Sequence, residues 1–502
     1  MSAVILERLR HCSKTGSDQI TFIGEEKFNI ERGYFVTSTQ NTGYLGRNVM
    51  PDDLKVLFRP VSLTVPDTRS IVQAKLFSSG FTTSEDLYNK LVSVIDCVKS
   101  QLPEENYYNF ELRTIMRIVD LACQKFTTLK EPDEEKIIYL SIKEELSKAF
   151  NMEDLREMEK ILANFYGERE GGEDKAEVSQ ETKEIIMTDN MRRKILQVRQ
   201  GLDNSTAVIL IGKTFSAKST ILQLAAEMKA NTEITEVNPK AMDIGDLFGC
   251  ADQSDTGWRD GIVSIIFKDF ATSTEDNQKI VKFDGPVDMN WIENFNTVMD
   301  INKVLCLESG ENIYINPTIK IVFEAGNLDQ VSPATISRCS IVFVDDGCVT
   351  WREIFSAWFS RIKDQAWLEN HDVLLQQLFQ WILPPLLETL GNCRMAAKVS
   401  SKNLVQCSLE LFEILLIEAL PNLKERKYLR GWIQVSFLVY MYDDDDDDDD
   451  RRRWCTAVSG PWEAAWRLRM TELYLIQVSR VSFLYHGVNT SHPLRYSGNN
   501  IW

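Results

Sequence analysis

The chain has 502 residues, 44% hydrophobic and 26% charged, an ordinary globular composition that suggests about three domains. A net charge of −18 excludes general binding to nucleic acid or to an anionic membrane surface. Four histidines without metal-ligand spacing exclude zinc chemistry, ten cysteines without a C-x-x-C pair read as reduced intracellular thiols, and no apolar run is long enough for membrane insertion.

In chain order, residues 1–60 read as part of an α/β unit. An amphipathic helix opens it, 20–23 and 27–30 alternate as strands, and 33–38 has the pattern of a buried strand. Residues 61–165 carry helical spacing: Ile71, Val72, Lys75 and Leu76, then Leu87, Leu91, Val92 and Ile95, then Leu112, Ile115, Met116 and Val119. Residues 166–190 hold the charged, glycine-rich stretch 167–175 and read as an acidic linker. Across 191–350 strands and helices alternate, which predicts a mainly parallel sheet with helices on both faces. Residues 351–430 return to helical spacing. An α/β part followed by a helical part therefore occurs twice, the mark of an internal repeat. The tail, 431–502, contains the aspartate run 443–450, then Arg451, Arg452 and Arg453, and reads as a poorly specified, solvated segment.

The most informative stretch lies within 191–350. The apolar run Ile209, Leu210, Ile211 enters a turn of Gly212, Lys213, Thr214, Phe215, Ser216, Ala217, Lys218 and Ser219, and a helical pattern leaves it. That is the strand–loop–helix context of a phosphate-binding loop, whose backbone N–H groups surround phosphate oxygens. Lys218 is placed to reach the terminal phosphates of ATP, and the Ser219 hydroxyl to ligate Mg²⁺. The second glycine of the pattern is Ala217; a left-handed conformation there costs about 1–2 kcal/mol. A degenerate loop of this kind also arises by chance in long chains. Downstream, 279–283 reads as a strand ending in Asp284, the second Mg²⁺ carboxylate of such a site. The next residue, Gly285, has no side chain to polarise water. Asp-Gly is also a common turn pair. The two segments together read as a site that holds nucleotide and is poorly equipped to cleave it.

Longer motifs carry a family resemblance. Residues 41–47 and 50–59 resemble the N-P-G-Y-A-G-R…L-P-x-x-L-K-x-L-F-R signature of dynein heavy chains. Residues 108–113 are similar to the family's Y-D-[FW]-G-L-R helix. Residues 238–241, 247–249, 258–261 and 283–294, with 332–339, resemble its second AAA+ module, and the Ser-Pro-Ala-Thr form of 332–335 looks axonemal.

The resemblance implies AAA+ modules, each an α/β P-loop core followed by a helical lid. The end of the first module would occupy 1–60, with its lid over 61–165. The second core would lie over 191–350, with its lid over 351–430. It further implies roles for three residues. Asn41 would be the first module's sensor 1, and Arg113 its sensor 2. Arg338 would be an arginine finger offered across the module interface to the first module's nucleotide, an effect worth ~10³–10⁵ in rate where it operates. Arg59 stands at an analogous place in the first module. A turn asparagine and surface helix arginines are the plain alternatives. No other G-x-x-x-x-G-K-[ST] occurs in residues 1–200, so the resemblance implies an incomplete first module, and the unmatched tail a shortened product. Implied partners are dynein complex subunits and microtubules, reached through the full-length motor, in cytoplasm, cytoskeleton and ciliary axoneme. A non-motor AAA+ remodelling ATPase, or an acidic interaction protein with a defunct loop, remain as alternatives.

Overall fold

The computed structural model describes residues 2–16, 19–21, 27–29, 36–39, 50–64, 66–128, 133–167, 187–251, 257–273, 277–362, 372–392 and 399–419. Helix α1 (Ser2–Thr15) leads into an antiparallel pair, β1 (Gln19–Thr21) with β2 (Lys27–Asn29), and a single turn, α2 (Asp52–Lys55), follows. The strand expected over 33–38 is not borne out in its described part, because residues 36–39 are irregular and exposed. A buried strand needs ladder partners and cover on both faces. Among the described residues before position 60 only the three-residue β1–β2 ladder offers any. Residues 33–35, Asn41, the linker 168–186 and the aspartate run all lie outside the described residues.

Helices α3 (Thr68–Ser78), α4 (Ser84–Gln101), α5 (Leu112–Thr128), α6 (Glu134–Ser147) and α7 (Met152–Tyr166) follow the helical spacing. Val72, Leu76, Leu87, Leu91, Ile95, Ile115 and Val119 meet in one shared core. Ile71, from the same set, is exposed. Side-chain caps fix the helix starts. Asp67 accepts from the Arg69 N–H at 3.2 Å, Asp133 from Lys136 at 3.2 Å, and Asn151 from Glu153 at 2.9 Å. Each satisfies an N–H that the helix itself leaves without a partner.

After α8 (Asp189–Asn204) come β3 (Ala207–Ile211), α9 (Lys218–Glu227), β4 (Glu233–Val237) and α10 (Ile244–Phe248). A hairpin, β5 (Gly249–Ala251) with β6 (Trp258–Asp260), precedes α11 (Ile262–Thr272) and β7 (Lys279–Asp284). Two single turns, α12 (Met289–Ile292) and α13 (Asn296–Met299), lead to a second hairpin, β8 (Val304–Cys306) with β9 (Asn312–Tyr314). Then follow β10 (Ile319–Ala325), α14 (Pro333–Ile336) and β11 (Ser340–Phe343).

Five of these strands form one wholly parallel sheet in the order β11-β3-β10-β7-β4. Strand β3 is buried at every position, as its unbroken apolar run requires when both faces are covered. Helix α8 packs on α9 and over β3 and β11. On one face of the sheet, Phe283 and Phe323 stack at 5.5 Å, and Phe283 meets Phe295 at 5.0 Å. Trp291 and Phe267 join them in the same apolar cluster.

The helices α3–α7 and this sheet belong to a single compact unit, residues 1–179 with 187–348. Their joint is chemically specific. Arg117 donates to the carbonyls of Cys339 at 3.0 Å and Ser337 at 3.3 Å, and its guanidinium lies 2.7 Å from Glu145. Glu145 also pairs with buried Lys148 at 3.0 Å. Burial alone would raise the Glu145 carboxyl, but Lys148 and Arg117 hold it below the usual range. The Phe343 N–H donates to the Lys148 carbonyl at 2.8 Å, and the Tyr107 ring stacks on Phe343 at 5.6 Å.

The second unit takes in residues 349–502 and shows three described helices, α15 (Trp351–Ile362), α16 (Asp372–Asn392) and α17 (Ser401–Ala419). Phe355, Trp358, Phe379 and Phe412 form its core, and the Trp358 indole N–H donates to Glu413 at 3.0 Å. Among the described residues, no helix is long and apolar enough to cross a membrane.

Glu134, in the first turn of α6, offers a test of the bundle. Its carboxylate accepts from the N–H and hydroxyl of both Thr82 and Thr83, at 2.6–3.0 Å. Burial opposes the charge, but the bonds from Thr83 and Thr82 outweigh it and pull the carboxyl from an ordinary 4.5 to about 2. A depressed folded value means that this stability is complete above about pH 4.5 and is lost as pH falls toward about 2. Glu134→Gln should cost about 1–2 kcal/mol at neutral pH and flatten the stability profile across that window, read by denaturant titration at several pH values.

Candidate functional site

The loop from Gly212 to Ala217 follows the C-terminal end of β3, and α9 begins at Lys218. Gly212 is required by space: a Cβ there would lie 2.5 Å from the Val344 carbonyl oxygen and 3.0 Å from the Ser216 hydroxyl. Two non-glycine residues of the turn adopt left-handed backbone, Phe215 at φ 63° and Ala217 at φ 72°. The position that the motif reserves for its second glycine therefore does require left-handed dihedrals, and Ala217 carries the strain. Ser216 is fully buried, whereas Lys213, Thr214 and Phe215 are exposed, with the Lys213 ammonium 3.6 Å from Asp346.

Lys218 folds back over the loop. Its ammonium donates to the carbonyls of Gly212 and Lys213, each at 2.8 Å, and burial pushes its pKa down. The Ser219 hydroxyl donates to Glu324 Oε2 at 2.6 Å. Glu324 stands on β10, level with Leu210 on one side and Asp284 on the other. It is 4% exposed, and burial pushes its carboxyl up. Asp284 ends β7, with the Lys282 ammonium 3.8 Å from its Oδ2. The loop, Ser219 and two carboxylates thus converge at one end of the sheet. This donor set suits a divalent cation bound with phosphate, being all hydroxyl and carboxylate oxygen beside a lysine. Glu324 Oε1 is buried and has no hydrogen-bond partner among the described residues, a lone-pair site open to such a cation.

The arginines form a second group. Arg338 pairs with both oxygens of Asp300, at 2.8 and 3.1 Å, and donates to the Ala334 carbonyl at 2.7 Å. Arg113 donates to the Ser337 hydroxyl at 2.8 Å and lies 3.8 Å from Asp300. Arg338 precedes the N-terminal end of β11, whereas the loop leaves the C-terminal end of the neighbouring parallel strand β3. The length of a four-residue strand, about 13 Å at about 3.3 Å per residue, separates the two. Arg338 is thus at the wrong end of the sheet to reach a nucleotide on this chain's own loop. Arg59 is exposed, and Asn41 lies outside the described residues.

Two family models match the chain. One, described as the hydrolytic ATP binding site of dynein motor region, covers residues 1–219. The other, an AAA domain of the dynein-related subfamily, covers 207–339 and so includes Lys218, Asp284 and Arg338. The chain belongs to the dynein heavy-chain family. It is 33% identical over 390 residues to mouse dynein axonemal heavy chain 12, covering 74% of this chain and 12% of that protein. Human dynein axonemal heavy chain 3 is 30% identical over 425 residues, covering 79% and 10%. The ciliary dynein beta chain of the sea urchin Tripneustes gratilla is 28% identical over 427 residues, covering 82% and 9%. The chain thus spans about a tenth of the length of these relatives.

In this dynein-family chain the AAA+ α/β core is present with its parallel sheet and flanking helices. Two acids, Glu324 beside the loop and Asp300 beside Arg338, have no motif to announce them. The one available signal for Glu324 is an acid inside a mostly apolar strand, which burial energetics make costly unless the charge is used. Asp300 sits in a turn and gives no signal at all.

Replacing Ala217 by glycine should relieve the left-handed strain, about 1–2 kcal/mol, against about 0.5–1 kcal/mol of added backbone entropy in the unfolded chain. The expected outcome is a net gain of about 0.5–1 kcal/mol, seen as a higher melting temperature. An unchanged or lower temperature would mean that the left-handed turn is not enforced in solution.

Proposed function

We propose that residues 191–350, with the helical lid 351–430, are the second AAA+ module of a dynein heavy chain and hold Mg·ATP as a structural or regulatory ligand. The observation that carries this reading is the convergence of Lys218, Ser219, Asp284 and Glu324 at the C-terminal end of a parallel sheet. Lys218 would exchange the Gly212 and Lys213 carbonyls for phosphate oxygens, and Ser219 and Asp284 would face the cation. Mg²⁺, when bound, supplies charge neutralisation between phosphates. Gly285 follows Asp284 and offers no base to activate water, which supports a ligand held rather than consumed.

In the same reading residues 1–60 and 61–165 are the end and lid of the first module, and Arg338 with Arg113 serves the nucleotide of that module. The position of Arg338, far from this chain's own loop, favours service in trans. By analogy with the axonemal relatives, the setting is the ciliary axoneme, with microtubules and dynein subunits as partners of the whole motor.

Calorimetry and phosphate release on the 502-residue chain test the proposal. Mg·ATP should bind, and at a hundred times its dissociation constant should add about 2.7 kcal/mol of stability. Lys218→Ala should weaken binding by about 10- to 100-fold, the worth of its charge-assisted bonds. Phosphate release should stay at background. Indifference to Lys218→Ala removes the site, and steady turnover that Asp284→Asn abolishes removes the non-hydrolysing assignment.

A further inference from the structure

Glu324 stands where a buried charge is costly. Strand β10 is apolar around it, and the side chain is 4% exposed at the centre of the sheet. Burying a carboxylate costs several kcal/mol, on the order of its desolvation, unless its oxygens are used. One oxygen is used, accepting the Ser219 hydroxyl at 2.6 Å. The other, Oε1, is buried with no hydrogen-bond partner among the described residues. A purely structural acceptor for Ser219 would need only one oxygen, and a neutral glutamine would supply it at less cost.

The sheet also sets a second charge beside the first. Glu324 and Asp284 are register partners on adjacent parallel strands, so their side chains leave the same face about 4.8 Å apart at the backbone. Lys282 is a register neighbour on that face, but its ammonium is 2.7 Å from Glu236 and 3.8 Å from Asp284. Lys218 spends two of its three donors on loop carbonyls. Asp284 thus shares Lys282 with Glu236, no ammonium forms a direct ion pair with Glu324 among the described residues, and a divalent cation would bridge the two carboxylates.

We propose that Glu324 is a carboxylate of the divalent-cation site, acting with Ser219 and Asp284, and that its open oxygen faces the cation and not a reacting water. This rests on the nucleotide-binding reading above. It deepens that reading by making the grip on nucleotide unusually dependent on the metal.

The test is ATP calorimetry on the full chain, once with excess Mg²⁺ and once with the metal chelated. Glu324→Gln keeps the shape and the bond from Ser219 while removing the charge. It should weaken Mg·ATP binding by about tenfold or more, as loss of a metal-site carboxylate does. Metal-free ATP should bind equally well or more tightly, because an anion near the phosphates is gone. Glu324→Asp, which keeps the charge but withdraws it, should fall between, and gives the same comparison if the glutamine variant does not fold.

Equal loss in both arms would reduce Glu324 to a structural support of the loop, with no role at the cation, and overturn the proposal. Unchanged Mg·ATP affinity together with loss of a measurable turnover would make Glu324 a base, and would also overturn it. If the wild-type chain binds no ATP in either arm, the nucleotide-binding reading itself fails and this inference falls with it. Wild-type binding that is indifferent to Mg²⁺ sinks this inference alone.

Discussion

Strand β10 hydrogen-bonds to β3 on one side and to β7 on the other, and its register sets Leu210, Glu324 and Asp284 on one level. Those three positions come from segments that are far apart in sequence. The loop after β3 is useful only because an acid on β7 stands two strands away and a second acid stands between them. A slip of one residue along β10 would turn Glu324 to the opposite face and bury a charge among Phe283, Trp291 and Phe295. The aromatic packing on that face therefore guards the register, and the register assembles the site.

Much of this was legible in the residues, for identifiable reasons. The loop and Asp284 announce themselves because phosphate binding demands a local strand–turn–helix pattern. Helices α3–α7 follow from apolar spacing, and Leu87, Leu91, Ile95, Ile115 and Val119 are all in their core. The left-handed turn at Ala217 was readable as a conditional strain, and its φ of 72° supplies the condition. Glu324 and Asp300 were not readable, because each matters through partners distant in sequence, Ser219 for Glu324, and Arg338 and Arg113 for Asp300. The expected strand over 33–38 failed in its described part for the complementary reason. Its pattern was local, but a buried strand is a property of its neighbours, and among the described residues no strand pairs with 36–39.

The units of the molecule also cut across its repeat. The sequence alternates α/β and helical parts, and pairing each core with the lid that follows it is the natural reading. The compact unit instead joins helices α3–α7 to the sheet that comes after them. Arg117, itself held by Glu145, makes that joint costly to open, since parting it would take its guanidinium off the carbonyls of Ser337 and Cys339. The Tyr107–Phe343 stack and the bond from the Phe343 N–H to Lys148 add contact on the same seam.

Arg113 belongs to α5 and Arg338 follows α14, yet both reach Asp300. Their parent elements belong to one compact unit, and the two guanidinium groups share one carboxylate. They amount to a two-tined fork with a carboxylate seated between the tines. Any change at Asp300 therefore acts on both positive charges at once.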